Sequence, residues 1–331
     1  MWLVRLFPTV ATPIVEEFFS PSPEAPALVI GAAGVDIVGR LRGELHLGSS
    51  NPAQIRSTFG GVARNVAENL ARLGQPVRLI TAVGLDPAGE RLLEQTDQAG
   101  VDVSYALHTG HYPTGAYLAA VNERGEMQIA LDDMRVVAAI TADYLSEHAA
   151  LFKEASVVFV DANLSRQALS RAISLARRAG IPICADPTTT VLARRLRPYI
   201  HKLALLTPNS AEASVLCDWL VDPREKEQTI EAAKCLVSQG VQIAILTLAE
   251  FGVCYATSQT SGKLPAIRTE IVDPTGGGDA LTAAVLFGLL NDIPLDDAVR
   301  LGVSAATLTL QYPGAVAPDL TLEKLYDQLV I

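Results

Sequence analysis

The chain has 331 residues, 49% of them hydrophobic, and its formal net charge at pH 7 is −10. A chain of this length can bury a large core, either as one large α/β domain or as two smaller ones. The acidic balance argues against a nucleic-acid partner, since proteins that bind a phosphate backbone usually carry a basic face.

The first 26 residues differ in character from the rest of the chain. Several prolines interrupt this segment, and Glu16 and Glu17 fall where a secretory signal would have to stay apolar. We therefore expect residues 1–26 to form an extension outside the domain, either flexible or lying across its surface. The sequence contains no apolar stretch as long as a membrane span, so we expect no membrane partner.

The cysteines and histidines do not predict a metal centre. The four cysteines are scattered, without paired or metal-ligand spacing, and we interpret them as reduced thiols in a cytoplasmic protein. His108 and His111 have a spacing seen in some metal sites, but a third ligand is missing nearby. We interpret these two histidines as exposed polar residues.

Apolar runs and helical patterns alternate along the chain. Strands are predicted at 27–31, 77–83, 156–160, 181–185, 203–206 and 242–247. Helices are predicted at 61–73, 88–99, 165–179, 209–217 and 226–239. Such repeated units predict a mostly parallel sheet with helices on both faces and ligands at the carboxyl ends of the strands. Residues 34–47 and 114–131 break the alternation and are predicted to form extended hairpins.

A glycine signature opens the first of these helices. Gly60 and Gly61 are followed by apolar residues at helical spacing, and Gly74 provides a stop signal. Two residues without side chains allow the backbone to approach a ligand closely. Asn65, one turn into the helix, adds an amide that can both donate and accept hydrogen bonds.

A second glycine signature lies near the C-terminus, where the chain reads Asp273-Pro274-Thr275-Gly276-Gly277-Gly278-Asp279. The glycines leave N–H groups bare at the start of a helix, where the helix dipole also favours an anion. The ordinary pKa of an aspartate, about 3.9, would leave Asp279 ionised at neutral pH and able to take a proton. An anion site beside such a base suits phosphoryl transfer to a hydroxyl group. Taken by itself, this segment could be a helix start that binds no ligand. The presence of the first glycine signature upstream favours a functional role.

The two signatures resemble those of the ribokinase (PfkB-type) carbohydrate and nucleoside kinases. The resemblance implies a ribokinase-like α/β fold over residues 27–331, with a mostly parallel sheet and a small β-lid near 34–47 and 114–131. It implies phosphorylation of a small sugar or nucleoside by ATP with Mg²⁺, and a homodimer formed through the lid. Short segments such as Asp161-Ala162-Asn163 are most similar to the family members that act on pseudouridine. For those members the acceptor is the 5′-hydroxyl of the nucleoside.

The resemblance also implies a set of site residues. It implies Asp279 as the catalytic base, together with the backbone of Gly276, Gly277 and Gly278. The substrate contacts that it implies are Asp36, Gly60, Gly61, Asn65, Thr114, Asp133 and Asn163. The nucleotide contacts that it implies are Asn209, Glu212, Thr247, Gly252, Thr275, Gly276, Gly278 and Thr307. Glu212 would help to hold Mg²⁺ through water, and Asp273 resembles a residue that binds a monovalent cation such as K⁺ in relatives.

Three features keep alternatives open. Gly34 stands where the family often has an asparagine of the sugar clamp. Ala249 stands where the family has a glycine next to the nucleotide phosphates. Asn209 with Glu212 also fits a capping box, which stabilises a helix without any ligand. The sequence therefore also allows a kinase for ribose, adenosine or a keto sugar, and a non-catalytic nucleoside-sensing protein.

Overall fold

The computed structural model describes Phe19 and residues 23–329 of the chain, so most of the predicted N-terminal extension lies outside the described residues. Phe19 is buried in the core. The side-chain amide of Gln75 donates a hydrogen bond to the Ala25 carbonyl at 2.8 Å. The end of the predicted extension, near residue 25, therefore packs against the domain.

Strands and helices alternate along most of the described chain. The strands are β1 (Ala27–Ile30), β2 (Gly34–Leu41), β3 (Ala53–Gly60), β4 (Val77–Ile80), β5 (Ala82–Gly84), β6 (Val101–Asp102), β7 (Leu107–Thr109), β8 (Gly115–Val121), β9 (Met127–Asp133), β10 (Val157–Asp161), β11 (Ile183–Asp186), β12 (Leu205–Leu206), β13 (Ile243–Thr247), β14 (Val253–Ala256) and β15 (Ser261–Leu264). The helices are α1 (Val62–Arg72), α2 (Pro87–Gln98), α3 (Ala142–Glu147), α4 (Ala149–Glu154), α5 (Arg166–Ala179), α6 (Thr190–Ala193), α7 (Ser210–Cys217), α8 (Lys226–Ser238), α9 (Gly277–Leu290), α10 (Leu295–Leu310) and α11 (Leu322–Leu329). Among these described helices, none combines the length and the apolar character needed to cross a bilayer.

The central sheet of the described chain has nine strands in the order β15-β14-β13-β12-β11-β10-β1-β4-β6. Neighbouring strands are parallel except for the antiparallel pairs β13-β14 and β14-β15. The predicted mostly parallel sheet is therefore confirmed. Its antiparallel edge was not predicted, because the prediction followed the repeated strand-helix-strand pattern.

Apolar cores lie on both faces of this sheet. Every residue of β1 and of β10 is buried. In β1, Leu28 and Ile30 contribute to one apolar cluster, whereas Ala27 and Val29 contribute to another. Successive residues of a strand point to opposite faces, so a strand covered by helices on both sides must be apolar throughout.

A second, four-stranded sheet stands apart from the central one and has the order β3-β2-β8-β9. Strand β2 pairs antiparallel with β3 and parallel with β8. This sheet, which we call the lid, includes strands from the two predicted hairpin segments and adds β3, for which the sequence predicted no strand. Because β3 ends at Gly60 and α1 begins at Val62, the lid leads directly into the first glycine signature.

Candidate active site

The two glycine signatures meet in one cleft. The side-chain amide of Asn65, in α1, donates a hydrogen bond to Asp279 Oδ2, in α9, at 2.8 Å, across 214 residues of sequence. Both helices begin at a glycine with positive φ, Gly61 at 98° and Gly276 at 77°. The structure therefore places the predicted base beside the helix that was predicted to contact the substrate.

The first glycine pair leaves room for a carboxylate and for close packing of the backbone. A Cβ atom added at Gly60 would overlap the carboxylate of Asp36. At Gly61, an added Cβ would lie 2.6 Å from the carbonyl oxygen of Ala32. Neither position can therefore carry a side chain without a shift of its neighbours.

Asp36 lies on β2, buried at the base of the lid. Burial raises the pKa of Asp36 to about 6, although the nearby Arg64 guanidinium acts to lower it. Within the described part of the chain, no hydrogen bond reaches the Asp36 carboxylate. A buried carboxylate without an internal partner can accept hydrogen bonds from ligand hydroxyl groups, which is the role that was predicted for it.

The second glycine signature forms a bare helix start. An added Cβ at Gly276 would overlap the carbonyl of Ala315, whereas at Gly278 it would meet nothing within 4 Å. No side chain caps the first turn of α9. The N–H groups of this turn therefore have no capping side chain at the positive end of the helix dipole, and we call this place the anion pocket.

Asp279 sits in the first turn of α9, at the edge of the anion pocket. Burial raises its pKa to about 7, the Asn65 hydrogen bond acts to lower it, and the charges of Asp36, Asp161 and Glu212 raise it further. The sequence suggested an ordinary pKa because it does not show these neighbours. A carboxylate with a pKa near the working pH is well matched to general base catalysis.

Asp161, the last residue of β10, was not predicted as a site residue. It is fully buried, and its Oδ2 accepts hydrogen bonds from the backbone N–H groups of Ala32 at 2.7 Å and Ala63 at 3.2 Å. Burial raises the pKa of Asp161. Its carboxylate holds the loop after β1 against the first turn of α1 and so fixes the first glycine signature.

Two further acidic groups lie at the carboxyl ends of the strands. Burial raises the pKa of Asp186 well above its usual range, and the charges of Glu212 and Asp279 add to the effect. Burial also raises the pKa of Glu212. The predicted capping box is present, since Asn209 accepts from the Glu212 backbone and Glu212 accepts from the Asn209 backbone, both at 2.9 Å.

Asp186 and Glu212 together fit a Mg²⁺ ion that is held partly through water. Burial raises the pKa of both carboxylates, and the charge of Glu212 raises that of Asp186 further, so a nearby divalent cation would stabilise both ionised groups. In the part of the chain that is described, no cluster of three or more acidic, histidine or cysteine side chains could hold a metal directly. Mg²⁺ usually keeps several waters and takes only one or two protein carboxylates, so two carboxylates are sufficient.

A cavity of about 1360 Å³ opens beside the anion pocket. Of the predicted nucleotide contacts, Asn209, Thr247, Gly252, Gly278 and Thr307 line this cavity. Glu212, Thr275 and Gly276 lie outside its lining. The cavity is large enough for a nucleotide and leads to the bare N–H groups of α9.

Ala249 lines the same cavity and has a φ of 50°. This left-handed conformation favours glycine, and in other residues it costs about 1–2 kcal/mol. The glycine that the family has here would avoid this strain. Ala249 therefore keeps the backbone conformation that a glycine would adopt, and it adds a methyl group at the cavity wall.

The remaining predicted substrate contacts are occupied within the protein. The Thr114 hydroxyl donates to Asp86 at 2.7 Å and accepts from the Gly84 backbone at 3.0 Å. Asp133 forms an ion pair with Arg135 at 2.6 Å. Among the described residues, no hydrogen bond joins Thr114 or Asp133 to Asp279. Asn163 lies next to Asp161, since its backbone N–H donates a hydrogen bond to Asp161 Oδ1 at 2.9 Å.

Comparisons with known proteins agree with this geometry. A family model described as pfkB family carbohydrate kinase matches residues 26–322. The chain is 33% identical over 296 residues to the pseudouridine kinase of Escherichia coli strain K12, covering 89% of this chain and 93% of that protein.

Solved structures give the same fold. The Arabidopsis thaliana ribokinase complexed with ribose and ATP matches with a TM-score of 0.78 at 20% identity, covering 93% of this chain and 99% of that one. A structure described as a ribokinase II of E. coli, in complex with ATP and Mg²⁺, matches with a TM-score of 0.77 at 17% identity, covering 92% of this chain and 99% of that one. The predicted ribokinase-like fold is therefore confirmed, and neighbours with this fold bind ATP and Mg²⁺.

Gly278→Ala separates a role in binding from a role in folding. An added methyl group meets nothing within 4 Å, and alanine is favoured over glycine inside a helix by about 0.5–1 kcal/mol. We expect an unchanged or higher melting temperature, but a kcat/KM for ATP lowered about tenfold or more, because the methyl group enters the anion pocket. Gly110→Ala, in the segment between β7 and β8 and outside the lining of the cavity, is the control. Wild-type kinetics in Gly278→Ala would contradict an anion site at this turn.

The pH dependence should report the Asn65–Asp279 contact. As the predicted base, Asp279 would act when ionised, and its pKa is about 7, so kcat/KM should fall as the pH drops through that value. Asn65→Ala removes a hydrogen bond that lowers this pKa, so the midpoint should move to higher pH by about one unit. The control is Asn69→Ala, one turn further along α1, whose amide donates to the Asn65 carbonyl instead. If the midpoint of the pH profile were the same in the Asn65 and Asn69 variants, the hydrogen bond from Asn65 would not set the pKa of Asp279.

Proposed function

We propose a specific activity for this chain, which belongs to the pfkB family of carbohydrate kinases: transfer of the γ-phosphate of ATP to the 5′-hydroxyl of pseudouridine. The observation that carries the kinase reaction is the hydrogen bond between Asn65 and Asp279. It places one carboxylate between the anion pocket and the first glycine signature. The likeness to a pseudouridine kinase over 89% of the chain supports the choice of nucleoside.

In this mechanism the chain positions two substrates and accepts one proton. The Asp36 carboxylate accepts hydrogen bonds from the ribose hydroxyls, and the absence of a side chain at Gly60 leaves Asp36 its space. Asp279 takes the proton of the 5′-hydroxyl as that oxygen attacks the γ-phosphorus. The bond between the γ-phosphorus and the oxygen that bridges to the β-phosphate breaks, and ADP leaves. The N–H groups at residues 276–278 stabilise the charge on the transferred group.

Mg²⁺ would be held near Asp186 and Glu212, in part through water. When bound, the ion neutralises charge on the phosphates of ATP. Both carboxylates have raised pKa values, so a divalent cation bound beside them would stabilise their ionised forms. The chain's own task at this position is to keep these two groups fixed, and the Asn209 capping box does so for Glu212.

The cellular setting that we propose is the cytoplasm, where ATP is available. The four cysteines are free thiols, and Cys184 and Cys254 are buried. Burial raises the pKa of the Cys254 thiol to about 11, which keeps it protonated and unreactive at neutral pH. Free, unreactive thiols suit a reducing compartment.

The alternatives differ in what they predict for turnover. A kinase for ribose, adenosine or a keto sugar would use the same anion pocket and Asp279, with a different fit under the lid. A nucleoside-sensing protein would bind its ligand without releasing ADP. The raised pKa of Asp279 favours an enzyme, since a base near neutrality has a use in proton transfer.

A substrate panel tests the proposed function. Purified protein with Mg-ATP is given pseudouridine, uridine, adenosine or ribose, and ADP release and the phosphorylated product are measured. We expect the highest kcat/KM with pseudouridine. In Asp279→Asn, which keeps the shape and removes the base, turnover should fall about 10²–10⁴-fold.

Other outcomes of the panel would overturn parts of the proposal. A higher kcat/KM with ribose or adenosine would replace the proposed substrate and keep the kinase mechanism. Binding of a nucleoside without ADP release would contradict the enzyme and support a nucleoside-sensing protein. Near-normal turnover in Asp279→Asn would remove Asp279 from the role of base.

We also propose that the lid forms a homodimer through its outer face. Facing residues in paired strands share one face of a sheet, and Ile37 faces Leu118, which in turn faces Leu131. Leu118 and Leu131 are exposed, as are Ile55 and Ile129 on the same face. Asp36 lies on the opposite face, toward the cleft. A flat apolar face of this kind is expected to be covered by a partner, and a second copy would cover it symmetrically.

Substitution of the outer lid face tests the dimer. We expect Leu131→Asp to sediment as a monomer of 35.1 kDa, and the wild type at about twice that mass, since a charge would be buried in the interface. The control is Val191→Asp, an equally apolar and exposed position outside the lid. An unchanged mass for Leu131→Asp relative to the wild type would contradict a lid dimer.

A further inference from the structure

An ion pair connects the lid to the loop that precedes the anion pocket. The Arg56 guanidinium, on β3, bonds to Oδ2 of Asp273. The Asp273 side chain is 4% exposed and that of Arg56 is 40% exposed. Asp273 is the residue for which the family resemblance implied a monovalent cation.

The carboxylate of Asp273 organises the backbone around the anion pocket. Its Oδ1 accepts from the Thr275 backbone at 3.1 Å and from the Thr275 hydroxyl at 2.7 Å. Its Oδ2 also accepts from the backbone N–H of Gly314 at 3.0 Å. The next residue, Ala315, packs directly against Gly276. Asp273 thus joins the two loops that define where the bare N–H groups point.

The hydrogen bonds to Asp273 leave no free position for another cation. An ionised carboxylate has about four acceptor sites, and here Thr275 takes two, Gly314 one and Arg56 one. Among the described residues, Arg56 is the one basic side chain within ion-pair distance of Asp273. A buried carboxylate is costly without a partner of opposite charge, so the guanidinium supplies what a bound cation would supply. The residues at this position therefore do not fit a bound monovalent cation.

We propose that Arg56 replaces a monovalent cation and is a positioning residue for the anion pocket. The activity is then independent of K⁺, because the positive charge is part of the chain. Since Arg56 lies on β3, on the same lid face as Asp36, the lid itself carries the charge that fixes the nucleotide side of the cleft. This inference rests on the proposed kinase function for its activity readout only.

The experiment compares the wild type with Arg56→Met and Arg56→Lys at constant ionic strength. All salts are tetramethylammonium salts, and tetramethylammonium chloride is exchanged stepwise for KCl. We expect a wild-type rate that changes less than about twofold, because no cation site is free. Arg56→Met should lose about tenfold or more without K⁺, the effect of one charge-assisted hydrogen bond, and should regain most of the rate with K⁺. Arg56→Lys, which restores the charge, should remain independent of K⁺.

Thermal melting under the same salt exchange gives a readout that does not need turnover. KCl should raise the melting temperature of Arg56→Met and leave that of the wild type unchanged, since a ligand stabilises only a protein that binds it. Arg40→Met is the matched control, because Arg40 is exposed on the same lid face and makes no ion pair among the described residues. It should behave as the wild type in both assays.

Two results would overturn the proposal. One is stimulation of the wild type by K⁺ in either assay, which would show that a cation site is free beside Arg56. The other is an Arg56→Met variant that K⁺ neither restores nor stabilises, which would leave Arg56 as a substrate contact or a simple surface ion pair. If the nucleoside panel fails but KCl stabilises Arg56→Met alone, the proposed function falls and this inference stands.

Discussion

The cleft depends on a partly buried carboxylate that is held in place by one amide. Asp279 receives its hydrogen bond from Asn65, and a hydrogen bond to a charged group contributes about 1.5–3 kcal/mol. Burial and the neighbouring acidic charges act in the opposite direction and raise the pKa to about 7. The balance leaves a base that is close to half protonated at neutral pH, which is costly for stability and useful for proton transfer.

The acidic groups around Asp279 have separate tasks. Asp161 accepts backbone N–H groups and fixes the first glycine signature, whereas Asp36 has no such partner within the described residues and stays available to a ligand. Asp186 and Glu212 stand on the nucleotide side, where a divalent cation would offset their charge. The many carboxylates at one edge of the sheet make the cleft unfavourable for further negative charge. The helix dipole of α9 and a cation bound together with the substrate would offset this negative charge.

The parts of this arrangement that follow from local sequence could be predicted. The two glycine signatures, the alternating strands and helices, and the position of the proposed base Asp279 each depend on neighbouring residues. Asp161 and Asp186 were missed as site residues because their importance comes from strand order. Strand β10 lies next to β1, and β11 next to β10, only after crossovers that the sequence does not display. The Arg56–Asp273 ion pair spans 217 residues, so no local pattern indicated it. Thr114 and Asp133, which are predicted substrate contacts from their place in the lid, have local partners in Asp86 and Arg135, and these pairs were not predicted.

A crystal structure with pseudouridine, Mg²⁺ and a non-hydrolysable ATP analogue would test most directly whether the two glycine signatures form one reaction centre. We expect the terminal phosphate within about 3.2 Å of the N–H groups of Gly277 and Gly278, and the nucleoside 5′-oxygen within the same distance of the Asp279 carboxylate. A terminal phosphate bound away from the start of α9, or a 5′-oxygen that faces another group while Asp279 stays paired with Asn65 alone, would contradict this arrangement.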